Sequence, residues 1–141
     1  MTTQQEQIET FQEHLPTFLH GDDPAAIDAF TRMNDSGETK GYVFLAGSFA
    51  VTAGVDLNKL ATTRLPGGSG FFGVLPGAEM DVPDRLINQI IAAAANHDYA
   101  TMEALLYTAD GIGILDRAKV LVGIAIHCRR IHREACPGAA R

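Results

Sequence analysis

Residues 42–55 read YVFLAGSFAVTAGV, a run without one Asp, Glu, Lys or Arg. A stretch this apolar is driven out of water, so any fold the chain adopts must be built around it. The run by itself falls short of the roughly 20 residues that a helix needs to cross a bilayer core. A buried interior element is therefore expected, and no membrane partner. Two local structures compete for it. Tyr42-Val43-Phe44-Leu45 favours a strand by propensity, and a turn near Ala46-Gly47-Ser48 would leave two very short strands. Against that, Val43, Gly47, Ala50 and Gly54 recur at helical spacing as a stripe of small residues, with Phe44, Ser48 and Val51 as a second. A buried central helix is the preferred reading. It is a poor helix by propensity, but its small side chains let a neighbour come close.

The flanking sequence is helical. From about Gln4, the residues Ile8, Phe11, Leu15, Phe18 and Leu19 recur at three- and four-residue steps, opposite Gln5, Glu6, Glu9, Gln12 and Glu13. Pro16 predicts a kink or break near His14, because proline offers no donor to the ladder and clashes with the carbonyl four residues back. After a turn at His20-Gly21-Asp22-Asp23, Asp23 is the expected cap and Pro24 the first position of a helix with Ile27, Phe30 and Met33 facing inward. Asn34-Asp35-Ser36-Gly37 stops it. Asp56 reads as the cap of a further short helix through Leu57, Leu60, Ala61 and Leu65.

Residues 66–83, PGGSGFFGVLPGAEMDVP, hold five glycines between Gly67 and Gly77, which forbids a long regular element. Pro83 then begins a helix with Leu86, Ile87, Ile90, Ile91 and Ala94 inward. Asn96-His97-Asp98 is a tight junction, and Asp98 caps a helix carrying Met102, Leu105, Leu106 and Ala109. The pair predicts an antiparallel hairpin closed by Asp110-Gly111-Ile112-Gly113. A last helix, about Leu115 to Ala135, centres Leu121 in an arc with Ile114, Ala118, Ile124, Ala125, Cys128, Ile131 and Ala135. Lys119, Gly123, Arg130 and Glu134 lie opposite. The expected architecture is all-α: a single domain over 1–141, a compact bundle of five or six helices. Its Gly-rich central loop is 66–83 and its basic C-terminal end is 129–141.

The net charge of −6 is unevenly spread. Residues 1–116 carry 5 basic against 16 acidic side chains, net −11, and residues 117–141 carry 6 against 1, net +5. A body this acidic repels a phosphate backbone, so no nucleic-acid partner is expected. The basic end is read as folding onto its own acidic body, with an anionic partner as the alternative. Arg129, Arg130 and Arg133 already suit the C-terminal end of a helix dipole. A helix-turn-helix over 83–109 fails because Arg85 is its one basic residue. Two cysteines are too few for a disulfide framework, and the opening residues lack a signal or transit pattern, so a cytoplasmic location is expected.

The motifs that could carry chemistry are thin. Gly68-Ser69-Gly70-Phe71-Phe72-Gly73 spells G-x-G-x-x-G, but no strand precedes it and Pro76-Gly77 follows where a phosphate-binding helix would have to start. No Lys-Ser or Lys-Thr follows for a Walker loop, and no kinase signature accompanies it. His127, Cys128, His132 and Cys136 resemble a ligand set. One helix directs at most two of them, however, and the rest would have to come from His14, His20, His97, a carboxylate or a second subunit. They are read as packing, with no metal and no cofactor expected. Glu13-His14, His20-Asp22-Asp23 and His97-Asp98 are scattered acid–base candidates at helix ends, and the Glu-x-x-His pairs of di-iron bundles are missing.

What remains is Phe71, Phe72, Val74 and Leu75, large apolar groups on a glycine-rich backbone. They either fold back as a lid or meet a partner. The expected function is accordingly non-catalytic: binding another protein chain, or a second copy as a homodimer, through Phe71, Phe72, Val74 and Leu75. The alternative is a small enzyme or carrier with an apolar pocket between 42–55 and the last helix.

Overall fold

The computed structural model describes residues 4–34, 39–64 and 81–136. Among them are six helices and no strand: α1 (Gln4–His20), α2 (Asp23–Asn34), α3 (Thr39–Arg64), α4 (Val82–Ala95), α5 (Tyr99–Ile112) and α6 (Ile114–Ala135). The chain is an all-α bundle. Helix α3 is its axis, packing on α6, α4, α5 and α2, while α1 lies against α2 and α6. Ala46, Phe49, Ala50 and Ala53 of α3 are fully buried, with Ile90 of α4, Leu106 of α5, and Val120, Ile124 and Cys128 of α6. Phe49 gathers the rings of Phe11, Phe18 and Phe30, with centroids 5.3, 5.0 and 6.1 Å away. Rings at such spacing add to what their buried area contributes.

The small-residue stripe works as a contact. A Cβ on Gly54 would stand 2.8 Å from the backbone nitrogen of Ala95 and 2.9 Å from the carbonyl carbon of Ala94. Glycine thus lets α3 touch the end of α4 backbone to backbone. Asn58, one turn on, donates from Nδ2 to the Ala95 carbonyl at 2.9 Å, which satisfies an acceptor that the end of α4 leaves open.

Several local expectations are corrected. The helix does not end with the apolar run at residue 55, and no new helix starts at Asp56. α3 continues to Arg64, because nothing near Val55-Asp56-Leu57 interrupts a helix and the Asp56 side chain is occupied elsewhere. The segment Tyr42–Leu60 is by length and composition apolar enough to cross a membrane, so the shortness of the run no longer excludes a span; in this fold the helix packs against four others. α1 runs through Pro16 unbroken. Both Pro16 and Gln12, whose carbonyl loses its donor, are exposed, so water can take that bond. Asp22 rather than Asp23 caps α2, accepting from the Ala25 amide at 3.0 Å. Ala26, Ala29 and Met33 form its buried face, and Ile27 is 66 % exposed. Asp81 caps α4 ahead of Pro83, accepting from the Asp84 amide at 3.0 Å. The Asp98 cap and the α4–α5 hairpin stand as expected, with Asp98 accepting from the Thr101 amide and hydroxyl at 3.2 and 2.7 Å.

Candidate functional site

Polar chemistry gathers at the C-terminal half of α6. His132 lies one turn before Cys136, the residue that ends the helix with its amide bonded to the His132 carbonyl at 2.8 Å. The His132 ring donates from Nδ1 to Oδ2 of Asp56 at 2.8 Å, and Asp56 is itself buried in the middle of α3. Lys59 approaches the other carboxylate oxygen at 3.5 Å from the solvent side. A buried carboxylate is costly unless paired and hydrogen-bonded, which explains the convergence. The ring of His20, last residue of α1, packs against His132 with centroids 4.8 Å apart. Nδ1 of His20 and Nε2 of His132 are both buried without a hydrogen-bond partner.

Beside this cluster Arg129 fastens three helices. Its guanidinium donates to the carbonyls of Phe18 and Gly21 at 2.9 and 2.6 Å and to Asp23 at 2.8 Å, and Arg133 donates to the same Gly21 carbonyl at 3.0 Å. The end of α1 and the start of α2 are thereby tied to α6. The basic end does fold onto the acidic body at these two arginines.

The outward side of α6 also carries an apolar stripe, beside the exposed Lys119 and Arg130. Leu115, Ala118, Val122 and Ile126 recur at steps of three and four and are all exposed, Leu115 by 79 % and Ile126 by 58 %. Grooves flank this stripe. One, of about 610 Å³, lies between α2 and α6, with Ala26, Ile27 and Phe30 in its wall and Arg130 and Arg133 at its edge. The other, of about 560 Å³, lies between α4 and α6 and is bordered by Asp81, Asp84 and Lys119. Val122 and Ile126 belong to both. At their shared edge Arg130 donates to His127 Nδ1. Partial burial, then the Arg130 charge, lower the His127 pKa from 6.5, while Asp84 works the other way.

Phe71, Phe72, Val74 and Leu75, and the G-x-G-x-x-G stretch with them, lie outside the described residues. Of the four residues in the suspected ligand set, His132 and Cys136 come together, Cys128 is a core residue, and His127 turns to Arg130. His97 is exposed, in the left-handed conformation (φ 61), and meets the Tyr99 hydroxyl at 3.1 Å. The groove of about 610 Å³ borders α6 on the α2 side, whereas α3 and α6 pack directly. Sequence reasoning missed Asp56, for which a helix cap was a sufficient local explanation, and the outer stripe, because one apolar arc already accounted for α6. Spacing alone could have shown the second arc at Leu115, Ala118, Val122 and Ile126. The chain matches no protein-family model, no curated protein and no solved structure.

Proposed function

We propose that the protein is a non-catalytic helical interaction module that self-associates through the outer face of α6. The observation that carries this is a helix with two apolar stripes: Val120, Leu121, Ile124 and Cys128 serve the core, and Leu115, Ala118, Val122 and Ile126 serve no neighbour within the described fold. An exposed stripe of this kind marks a contact surface. A second copy is the fitting occupant on grounds of charge. In the α4–α6 groove Asp81 and Asp84 face Lys119, a net of −1. In the α2–α6 groove Arg129, Arg130 and Arg133 outweigh Asp23 and Glu134, a net of +1. A two-fold pairing of the α6 stripes that lays the basic groove of each copy against the acidic groove of the other is the self-complementary arrangement that a two-fold dimer requires. Phe71, Phe72, Val74 and Leu75 belong to the same proposal. They precede Asp81, which borders the α4–α6 groove, by six to ten residues. The two cysteines, both unpaired, suit the reducing cytoplasm.

Light scattering tests it. The native chain should give twice its 15.1 kDa mass. Leu115→Asp with Ile126→Asp should give the single-chain mass with an unchanged helical circular dichroism spectrum, and Phe71→Ser with Phe72→Ser should weaken association. A single-chain mass for the native protein at about 0.1 mM, well above the Kd of a stable dimer, would sink the proposal. A second reading rests on the α2–α6 groove, whose apolar wall and guanidinium edge fit an anionic amphiphile such as a fatty acid. A fluorescent fatty acid that binds the native chain and not Ile27→Asp would favour it.

A further inference from the structure

We propose that His20, His132 and Cys136 form a site for a borderline divalent cation, zinc foremost, with Asp56 orienting His132 from behind. Three helix positions converge here. α6 offers His132 and Cys136 one turn apart, the spacing at which one helix directs two ligands to one point. α1 brings His20 at its last residue, with its ring 4.8 Å from that of His132. α3 brings Asp56. One ligand atom from each of Asp56, His132 and Cys136 lies within 4.8 Å of the others. Of that group His132 and Cys136 ligate, and His20, whose ring lies against that of His132, supplies the third ligand in place of Asp56.

The hydrogen bonding says which atoms ligate. His132 donates from Nδ1 to Asp56 at 2.8 Å, and its Nε2 is buried and unpartnered. That is the carboxylate–histidine–metal arrangement, in which the carboxylate sets the tautomer and aims the free nitrogen at the ion. His20 supplies a second buried, unpartnered nitrogen, Nδ1. Two orphaned imidazole nitrogens in touching rings are a deficit that folding rarely leaves, and one cation bound to both removes it. A Cys–His–Asp nucleophilic relay would use Cys136, His132 and Asp56 but would leave His20 without a role. Charge agrees. A Cys136 thiolate and the Asp56 carboxylate, which also pairs with Lys59, put negative charge beside a divalent ion, and imidazole with thiolate is a donor set suited to zinc. Three protein ligands leave the fourth position to water. On binding, the Cys136 thiol proton is released to solvent.

The test uses the full chain stripped by chelator, with Co²⁺ alone as the probe and Zn²⁺ as competitor. One Co²⁺ per chain should bind, with visible tetrahedral bands and a thiolate-to-cobalt band in the near ultraviolet, both abolished by Zn²⁺. Cys136→Ser, at the half-exposed end of α6, should lose the near-ultraviolet band while the helical spectrum is unchanged. His20→Gln should weaken binding at least tenfold, and Asp56→Asn about 10–100-fold with the sulfur band retained. Cys128→Ala should keep the band in full. No band in the folded native chain, or a band that survives Cys136→Ser, would overturn the proposal.

Discussion

At Cys128, burial pushes the thiol pKa up to about 12, and the nearby Asp56 carboxylate adds to the rise. The thiol is therefore protonated at any ordinary pH and shielded from reagents, behaving as a small apolar group. Cys128→Ala should cost about 1–2 kcal/mol in a urea titration, the scale of a modest cavity. In the metal-free native protein an alkylating reagent should modify one cysteine, Cys136, and mass spectrometry of the digest would show which. Rapid labelling of Cys128 would contradict its place in the core. This residue was legible in the sequence, since the helical arc through Leu121 and Ile124 already held it. Asp56 was not. Its sequence neighbours suggest a cap, and its actual partner, His132, is 76 residues away.

Among the elements, α3 shows how a poor helix by propensity becomes the axis of a bundle. Its glycines are unequal. A Cβ on Gly47 would meet Leu106 Cδ1 at 3.5 Å, an ordinary contact, whereas a Cβ on Gly54 would strike the backbone of Ala94 and Ala95 below 3.0 Å. Replacing glycine by alanine in a helix gains up to about 1 kcal/mol from propensity, and forcing an extra carbon into a packed contact costs about 1–3 kcal/mol. Gly47→Ala should therefore be neutral or slightly stabilising, and Gly54→Ala destabilising by about 1–2 kcal/mol, as thermal melts of the pair would show. Equal melting temperatures would mean that α3 and α4 are not in backbone contact. The stripe of small residues was visible in the sequence; which glycine touches backbone was not, because that depends on where α4 ends.

For the molecule as a whole, Arg129 is the fastening between the α1–α2 pair and the rest. Its side chain is 17 % exposed and donates to two backbone carbonyls and one carboxylate. Arg129→Ala leaves the Phe18 and Gly21 carbonyls without that donor, and charged hydrogen bonds of this kind contribute about 1.5–3 kcal/mol. A loss of about 2–3 kcal/mol is expected in chemical denaturation. Arg129→Lys should recover little of it, since an ammonium cannot reproduce a planar fork reaching three acceptors. A lysine variant as stable as the native chain would show that charge alone holds α1 and α2 in place.

Periodicity and cap chemistry were enough to determine an all-α chain, the hairpin of α4 and α5, and the buried part of the α6 arc from Leu121 to Cys128, because these depend on residues three or four positions apart; Ile114 and Ala118, expected in the same arc, are exposed. Tertiary structure decided what depends on distant partners. It carried α3 through Asp56, since the carboxylate found His132 rather than a local amide. It kept α1 whole through Pro16, since the lost bond faces water. It also brought His20 from the end of α1 to His132 near the end of α6, an encounter that no spacing along the chain could reveal, because it depends on how α1 and α6 pack.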